Sequence, residues 1–185
     1  MKKTMLLWLL WLLFLPLSAW SALPLAIEKS SQWQVQGSGE MRWFGFAIYG
    51  AKLWRSGERW QADSPYALEL TYRRTISAEQ LVSTSMDEVE RLGEKDAQRL
   101  QQWRVALAKV FPSVREDDVI VGMHEPGRGA RFFFNGKLTG RLDDPNLAAA
   151  FFAIWLDPRT KAPELRTRLL ADANVLPPRA LATAP

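Results

Sequence analysis

The sequence predicts an α+β fold in which antiparallel hairpins build one large sheet and helices cover one of its faces. Three observations carry this. Segments of period two and of period 3.6 come in blocks, in the order β–β–β–α–α–β–β–β–α–α. Asn135-Gly136 lies between two runs of strand-forming residues, which marks a type I′ hairpin and antiparallel neighbours. The stretch from Leu147 to Trp155 is apolar nearly all round, as in a helix covered on most sides. With 185 residues, 48% of them hydrophobic and 24% charged, the chain is an ordinary globular one. One domain of this size buries roughly 70% of its unfolded surface without crosslinks or metal.

The elements follow in order. Gln32-Trp33-Gln34-Val35-Gln36 alternates as a half-buried strand does, and Gly37-Ser38-Gly39 is expected to break it. Met41 to Trp54 is one long strand, or two joined at a glycine, with Gly45 and Gly50 as bulge points. Ser56-Gly57-Glu58 is a turn, and Tyr66 to Arg73 a strand with Leu68, Leu70 and Tyr72 on one face. Ser77-Ala78-Glu79-Gln80 has capping-box spacing and opens a helix that Gly93 stops. A second helix runs from about Asp96 to Val110, with Leu100, Trp103 and Leu107 at helical spacing. Asp118 to Met123 is a strand, and residues 132–139 form the Asn-Gly hairpin. Three successive phenylalanines, Phe132 to Phe134, must alternate between faces, so the second face is covered as well or lines an apolar cleft. Asp144-Pro145 caps and starts the apolar helix, and a last helix lies near Pro163 to Leu170.

The N-terminus sets the expected compartment. A basic Met1-Lys2-Lys3, an apolar run of 12 residues from Leu6 to Leu17, and the small residues of Ser18-Ala19-Trp20-Ser21-Ala22 form the three parts of a secretory signal peptide. The run is too short to cross a hydrocarbon core, which needs about 20 residues. Residues 1–21 are therefore expected to be a signal peptide, 22–174 the folded domain and 175–185 a flexible tail, in a periplasmic protein with no membrane span after cleavage. Loss of Lys2 and Lys3 lowers the formal charge from +4 to +2, too little for a nucleic-acid-binding face.

Most chemistries are excluded. The chain has no cysteine and one histidine, so disulfides, thiolate catalysis and histidine-cluster metal sites are out, and no cofactor is called for. It has no nucleophile elbow and no phosphate-binding glycine loop. The most informative polar residue is Arg42. On a regular strand it shares a face with Phe44, Phe46 and Ile48, and a guanidinium among aromatics needs an anionic or hydrogen-bonding partner. That partner is a ligand carboxylate or an internal one such as Glu88. Tyr49 and Tyr72 are hydroxyl donors for the end of an apolar pocket, or core tyrosines. His124 precedes a turn and is expected to be exposed.

Gly39-Glu40-Met41-Arg42, followed by Phe46-Ala47-Ile48-Tyr49-Gly50-Ala51-Lys52-Leu53-Trp54, resembles the entry strands of the chalcone isomerase family. The Tyr72-Arg73-Arg74 strand end, Ser77 to Leu81, Asn135-Gly136, Gly140, Phe151 to Leu156 and Pro163 to Leu170 follow in that family's order, over about residues 33 to 171. This order resembles the bacterial exported branch called chalcone isomerase-like. The resemblance implies an open-faced β-sandwich with a cleft between sheet and helices. In the plant enzyme that cleft binds a flavonoid, and an arginine assists cyclisation. Related non-catalytic members bind fatty acids with an arginine and a tyrosine on the carboxylate. Arg42 matches the arginine, and Thr160 a late pocket hydroxyl. Ala47 stands where the enzyme has a threonine, Leu81 near its tyrosine and Glu88 near its asparagine. Without those hydroxyls a developing enolate is poorly stabilised, so the resemblance favours binding over catalysis.

Three functions stay open: a periplasmic binding protein for a small apolar or amphipathic acid, an isomerase or lyase on an unsaturated carbonyl compound, and an envelope interaction protein without a ligand. On export, N-terminal sequencing of the mature protein should begin at Ala22; a mature chain that still starts at Met1 would overturn the signal peptide.

Overall fold

The computed structural model describes Pro24, Ile27 and residues 32–171; the expected signal peptide and the tail at 175–185 lie outside the described residues. Six strands form one antiparallel sheet: β1 (Trp33–Trp43), β2 (Phe46–Ser56), β3 (Tyr66–Tyr72), β4 (Val119–Glu125), β5 (Gly129–Phe134) and β6 (Lys137–Leu142). Their spatial order is their chain order, so each strand pairs with its neighbours in sequence. Helices α1 (Ala78–Leu92) and α2 (Ala97–Ala108) connect β3 to β4, and α3 (Pro145–Leu156) and α4 (Pro163–Leu170) follow β6. The predicted order of elements is the one observed.

Local chemistry fixes the boundaries. The Ser77 hydroxyl accepts from the Gln80 amide at the start of α1, and Gly93 ends it at φ 145°. Asp96 caps α2, and Asp144, followed by Pro145, caps α3. Two hairpins share one turn geometry. Asn135 and Gly136 sit at φ 46° and 79°, and Phe44 and Gly45 at φ 47° and 82°. Positive φ at both central residues is the type I′ turn.

The core lies between the inner face of the sheet and the helices. Leu53, Leu68, Leu70 and Tyr72 from the sheet meet Val82, Met86 and Val89 of α1, Leu107 of α2, Leu147, Phe151, Phe152 and Trp155 of α3, and Leu165 and Leu169 of α4. Phe132 is buried on this side, while Phe133 packs on the outer face near Val119, Val121 and Met123, where Ile27 is also buried. The alternation expected of the three phenylalanines is therefore present. The outer face also carries Glu69, which accepts from the Trp54 indole at 2.8 Å and from Lys52 at 3.3 Å.

Two expectations are corrected. Gly37-Ser38-Gly39 does not break the strand; β1 runs through it, and α4 packs on it. A Cβ on Gly37 would stand 2.1 Å from the Arg168 carbonyl oxygen, and one on Gly39 2.8 Å from Leu165 Cδ1. These glycines serve a close approach of helix to sheet, which strand periodicity does not reveal. Gly45 and Gly50 are not bulges. Gly45 closes the first hairpin, Gly50 pairs regularly with Glu40 and Thr71, and the register shifts lie at Val35/Gly37 and Met41/Arg42.

Because backbone, not a flexible side chain, opposes a Cβ at position 37, Gly37→Ala should destabilise the fold by about 3 kcal/mol. Urea unfolding measures this, and an unchanged midpoint would show that α4 is not seated on β1.

Candidate functional site

Helix α3 has no polar residue after Asn146, and its environment is built around that fact. Phe151, Phe152 and Trp155 are buried and join a ring network; Phe152 meets Tyr66 edge-on at 5.1 Å, and Phe151 meets Phe132 at 5.2 Å. The flank formed by Ala149, Ala153 and Leu156 is covered less completely. It lines a groove of about 300 Å³, completed by Arg166 and Leu170 of α4, Trp60 and Ala62 of the β2–β3 connection, Tyr66, His124 and Asp157. A larger hollow, about 430 Å³, is bounded by Gln32, Gln34, Ser56, Gly57 and Glu58, and offers neither ring nor cation.

The groove combines an apolar surface with a few polar groups, the usual composition of a small-molecule site. His124 stacks on Tyr66 with ring centroids 4.6 Å apart and meets Phe152 edge-on at 5.5 Å. Its Nδ1 is buried and has no hydrogen-bond partner among the described residues. Burial lowers its pKa, so the ring is neutral at pH 7, with one nitrogen to donate and one to accept. Among the described residues Arg166 is the only cation lining the groove, and its Nε donates to the Leu156 carbonyl at 2.7 Å. Asp157, at the end of α3, is held to about 2 by hydrogen bonds from the Arg159 side chain and backbone. Among the described residues no cluster of three or more histidine or acidic side chains is placed to hold a metal ion.

The sequence-predicted residues are distributed differently. Arg42 is corrected. Its side chain is 60% exposed and ion-paired with Glu40 at 2.7 Å, with Nη1 donating to the Gly45 carbonyl. It is not sheltered among aromatics, because it stands beside the turn at the closed end of the β1–β2 hairpin, where Trp43, Phe44 and Phe46 are exposed as well. Glu88, its suggested internal partner, instead pairs with Arg91 and Lys161. Burial raises the Glu88 pKa, but the hydrogen bonds from Lys161 and Arg91 outweigh it and leave the carboxyl below its usual range.

Tyr49 and Tyr72 do lie together on the inner side of the sheet, with centroids 6.0 Å apart. The Trp155 indole donates to the Tyr49 oxygen at 2.9 Å. Burial pushes the Tyr49 hydroxyl up to about 12 and that of Tyr72 further still. Thr160 is buried, donates to the Ile154 carbonyl at 2.7 Å and accepts from the Ala162 amide, so it stitches α3 to α4. None of the four lines the groove.

Sequence reasoning missed Trp60, Tyr66, Arg166 and the role of His124, which is half-buried against two rings rather than exposed. It also missed Arg55. Among the described residues it is the one buried arginine, 3% exposed, with Nη1 donating to the Gly57 carbonyl and a buried Nε that has no partner there. A signal existed for Arg55: the alternation of Ala51 and Leu53 extends to it in period two. No comparable signal existed for the groove, which gathers residues from five separate segments.

A family model described as chalcone isomerase-like matches residues 28–171. No curated protein matches the chain. Among solved structures, the crystal structure of an Arabidopsis thaliana fatty-acid binding protein resembles it with a TM-score of 0.60 at 13% sequence identity, over 76% of this chain and 88% of that one. At that identity the likeness establishes the shared fold.

The buried, neutral His124 has a consequence for acid stability. Its folded pKa lies below the ordinary value of 6.5, so the folded state resists the proton that the unfolded chain accepts. Stability should be unaffected above about pH 6.5 and should fall as the pH drops from there toward the folded pKa. Urea unfolding across that range should show a smaller acid loss in His124→Gln than in the wild type; identical profiles would mean that the ring titrates freely.

Proposed function

We propose, on the premise that the chain belongs to the chalcone isomerase-like family, that it is a non-catalytic binding protein for a small amphipathic acid. The observation that carries this is a groove that sets an apolar wall beside the Arg166 guanidinium, with the neutral His124 ring and the Arg159-bound Asp157 at its edges. An alkyl or aryl body lies along Ala149, Ala153, Trp60 and Tyr66. The carboxylate meets the Arg166 guanidinium, and the neutral His124 ring, stacked on Tyr66, extends the apolar wall. A groove of about 300 Å³ is at the small end of ligand pockets, which run from roughly 300 to 1,000 Å³, so a short or medium tail fits better than a long one. The fatty-acid binding protein that shares the fold supports the ligand class.

In this reading Arg166 takes the part expected of Arg42, while Tyr49, Tyr72 and Thr160 hold the surrounding wall. Binding is favoured over an isomerase because the Tyr49 oxygen already receives the Trp155 indole, and burial makes Tyr49, Tyr66 and Tyr72 hold their protons tightly. The reading includes export to the periplasm, supported by the three-part N-terminal pattern of residues 1–21. Among the described residues no helix is long and apolar enough to cross a membrane. A second reading, an envelope interaction protein without a ligand, is favoured by one observation: Arg42 is already neutralised by Glu40.

Titration of the purified chain with a fluorescent medium-chain fatty-acid analogue separates the two. A charge-assisted hydrogen bond contributes about 1.5–3 kcal/mol, so Arg166→Gln should weaken binding about tenfold or more. Ala153→Trp should fill the groove and abolish binding, and Arg42→Gln should leave it unchanged. No binding by the wild type would remove the ligand and leave the second reading.

A further inference from the structure

Most of the inner face of the sheet is apolar, but one row across it is not. Gln34, Arg55, Tyr66 and His124 are successive cross-strand partners on β1 to β4. Direct partners in an antiparallel pair project to the same side, and Arg55 follows Ala51 and Leu53 of the core in period two. The row therefore lies on the side that the helices cover. Tyr66 and His124 line the groove. Arg55 does not, but it adjoins Tyr66 from β2 as His124 adjoins it from β4.

Arg55 carries a charge that nothing around it answers. Among the described residues the one hydrogen bond of its side chain runs from Nη1 to the Gly57 carbonyl, and it makes no ion pair. The nearby acids are turned away or taken. Glu58 is exposed, Glu69 on the outer face holds Trp54 and Lys52, and Asp157 at the groove is bound by Arg159. Three buried nitrogens lack a partner among the described residues. One, Arg131 Nε, belongs to a guanidinium already paired with Glu125 at 2.7 Å. The other two, on Arg55 and His124, flank Tyr66. A guanidinium keeps its proton when buried, so Arg55 cannot escape its burial by turning neutral. An uncompensated buried charge is costly, and an anion brought near it offsets that cost.

We propose that Arg55 sets the preference of the groove for anionic over neutral ligands of the same shape, through the field of its charge rather than by contact. This rests on the reading of the groove as a ligand site. Arg166 meets the carboxylate from α4, and Arg55 adds a second positive charge from the sheet. Neighbouring strands lie about 4.8 Å apart, so the far side of the row, at His124, is roughly 10 Å from Arg55. Over roughly 10 Å, at an effective dielectric constant of about 20, one unit charge favours an anion about tenfold. The class of ligand selected is an amphipathic acid over its own alcohol.

Titration of the purified chain with a fluorescent medium-chain fatty acid, and with the alcohol of the same length and label, tests this. Arg55→Met keeps most of the side-chain volume. It should lose about tenfold in affinity for the acid and bind the alcohol as the wild type does. Arg55→Lys, which keeps the charge, should retain the preference. Arg166→Gln leaves Arg55 in place and should still favour the acid about tenfold, a result that does not depend on how Arg55→Met folds. An unchanged preference in Arg55→Met, or none in Arg166→Gln, would overturn the proposal and leave the groove reading intact. So would an equal loss of both ligands in Arg55→Met, because Arg55 would then only support the connection at Gly57. A wild type that binds neither compound would remove the groove reading itself, and this inference with it.

Discussion

A helix without polar residues over its last ten positions cannot lie on a protein surface, and the burial of α3 is the constraint around which this molecule is arranged. The sheet takes one side through Phe151, Phe152 and Trp155, α1 packs on a second, and α4 turns back to cover a third. Thr160 anchors the reversal from α3 to α4 with two hydrogen bonds. The cover is incomplete along Ala149, Ala153 and Leu156, and that flank lines the groove. The small alanine side chains leave the space, and the larger residues opposite them, Trp60, Tyr66 and Arg166, give it chemical character. Site and core are therefore two aspects of the same packing problem.

Much of the architecture was legible because it is encoded locally. Ser77, Asp96 and Asp144 announce helix starts, Gly93 a helix end, and Asn135-Gly136 a tight reversal, and each acts on residues within four positions of itself. What escaped notice depends on contacts distant in sequence. Gly37 and Gly39 look like strand breakers until the carbonyl of Arg168 is seen against one and Leu165 against the other. Regular alternation puts Arg42 among Phe44, Phe46 and Ile48, but at the turn end of the hairpin both faces are exposed and the aromatics there shelter nothing. Arg55 obeyed the same alternation and went unremarked. Strand periodicity predicts which face a side chain takes, not whether that face is covered.

The distribution of polar groups separates support from recognition. Tyr49 with Trp155, Thr160 with the α3–α4 turn, and Glu88 with Arg91 and Lys161 are satisfied within the protein, so they hold the helices to the sheet. His124 Nδ1, Arg55 Nε and Arg131 Nε lack partners among the described residues although buried, and an unsatisfied buried polar atom costs about 1–3 kcal/mol. Of the three residues, His124 alone lines the groove. A shared fold accommodates many different sites, so the proposed ligand site rests on the side chains of the α3–α4 flank rather than on the family.

The strictly sequential sheet has one exception to its local wiring, and it concerns timing. Every strand can zip onto the one made just before it, but β1 acquires its covering only from the last helix, through Gly37 against Arg168 and through Gln36, whose amide donates to the Leu170 carbonyl. A chain folding from its first strand would hold a nearly finished sheet whose β1 stays bare until α4 docks on it. Seating of that helix, more than the formation of any hairpin, then becomes the event that commits the polypeptide to its native state.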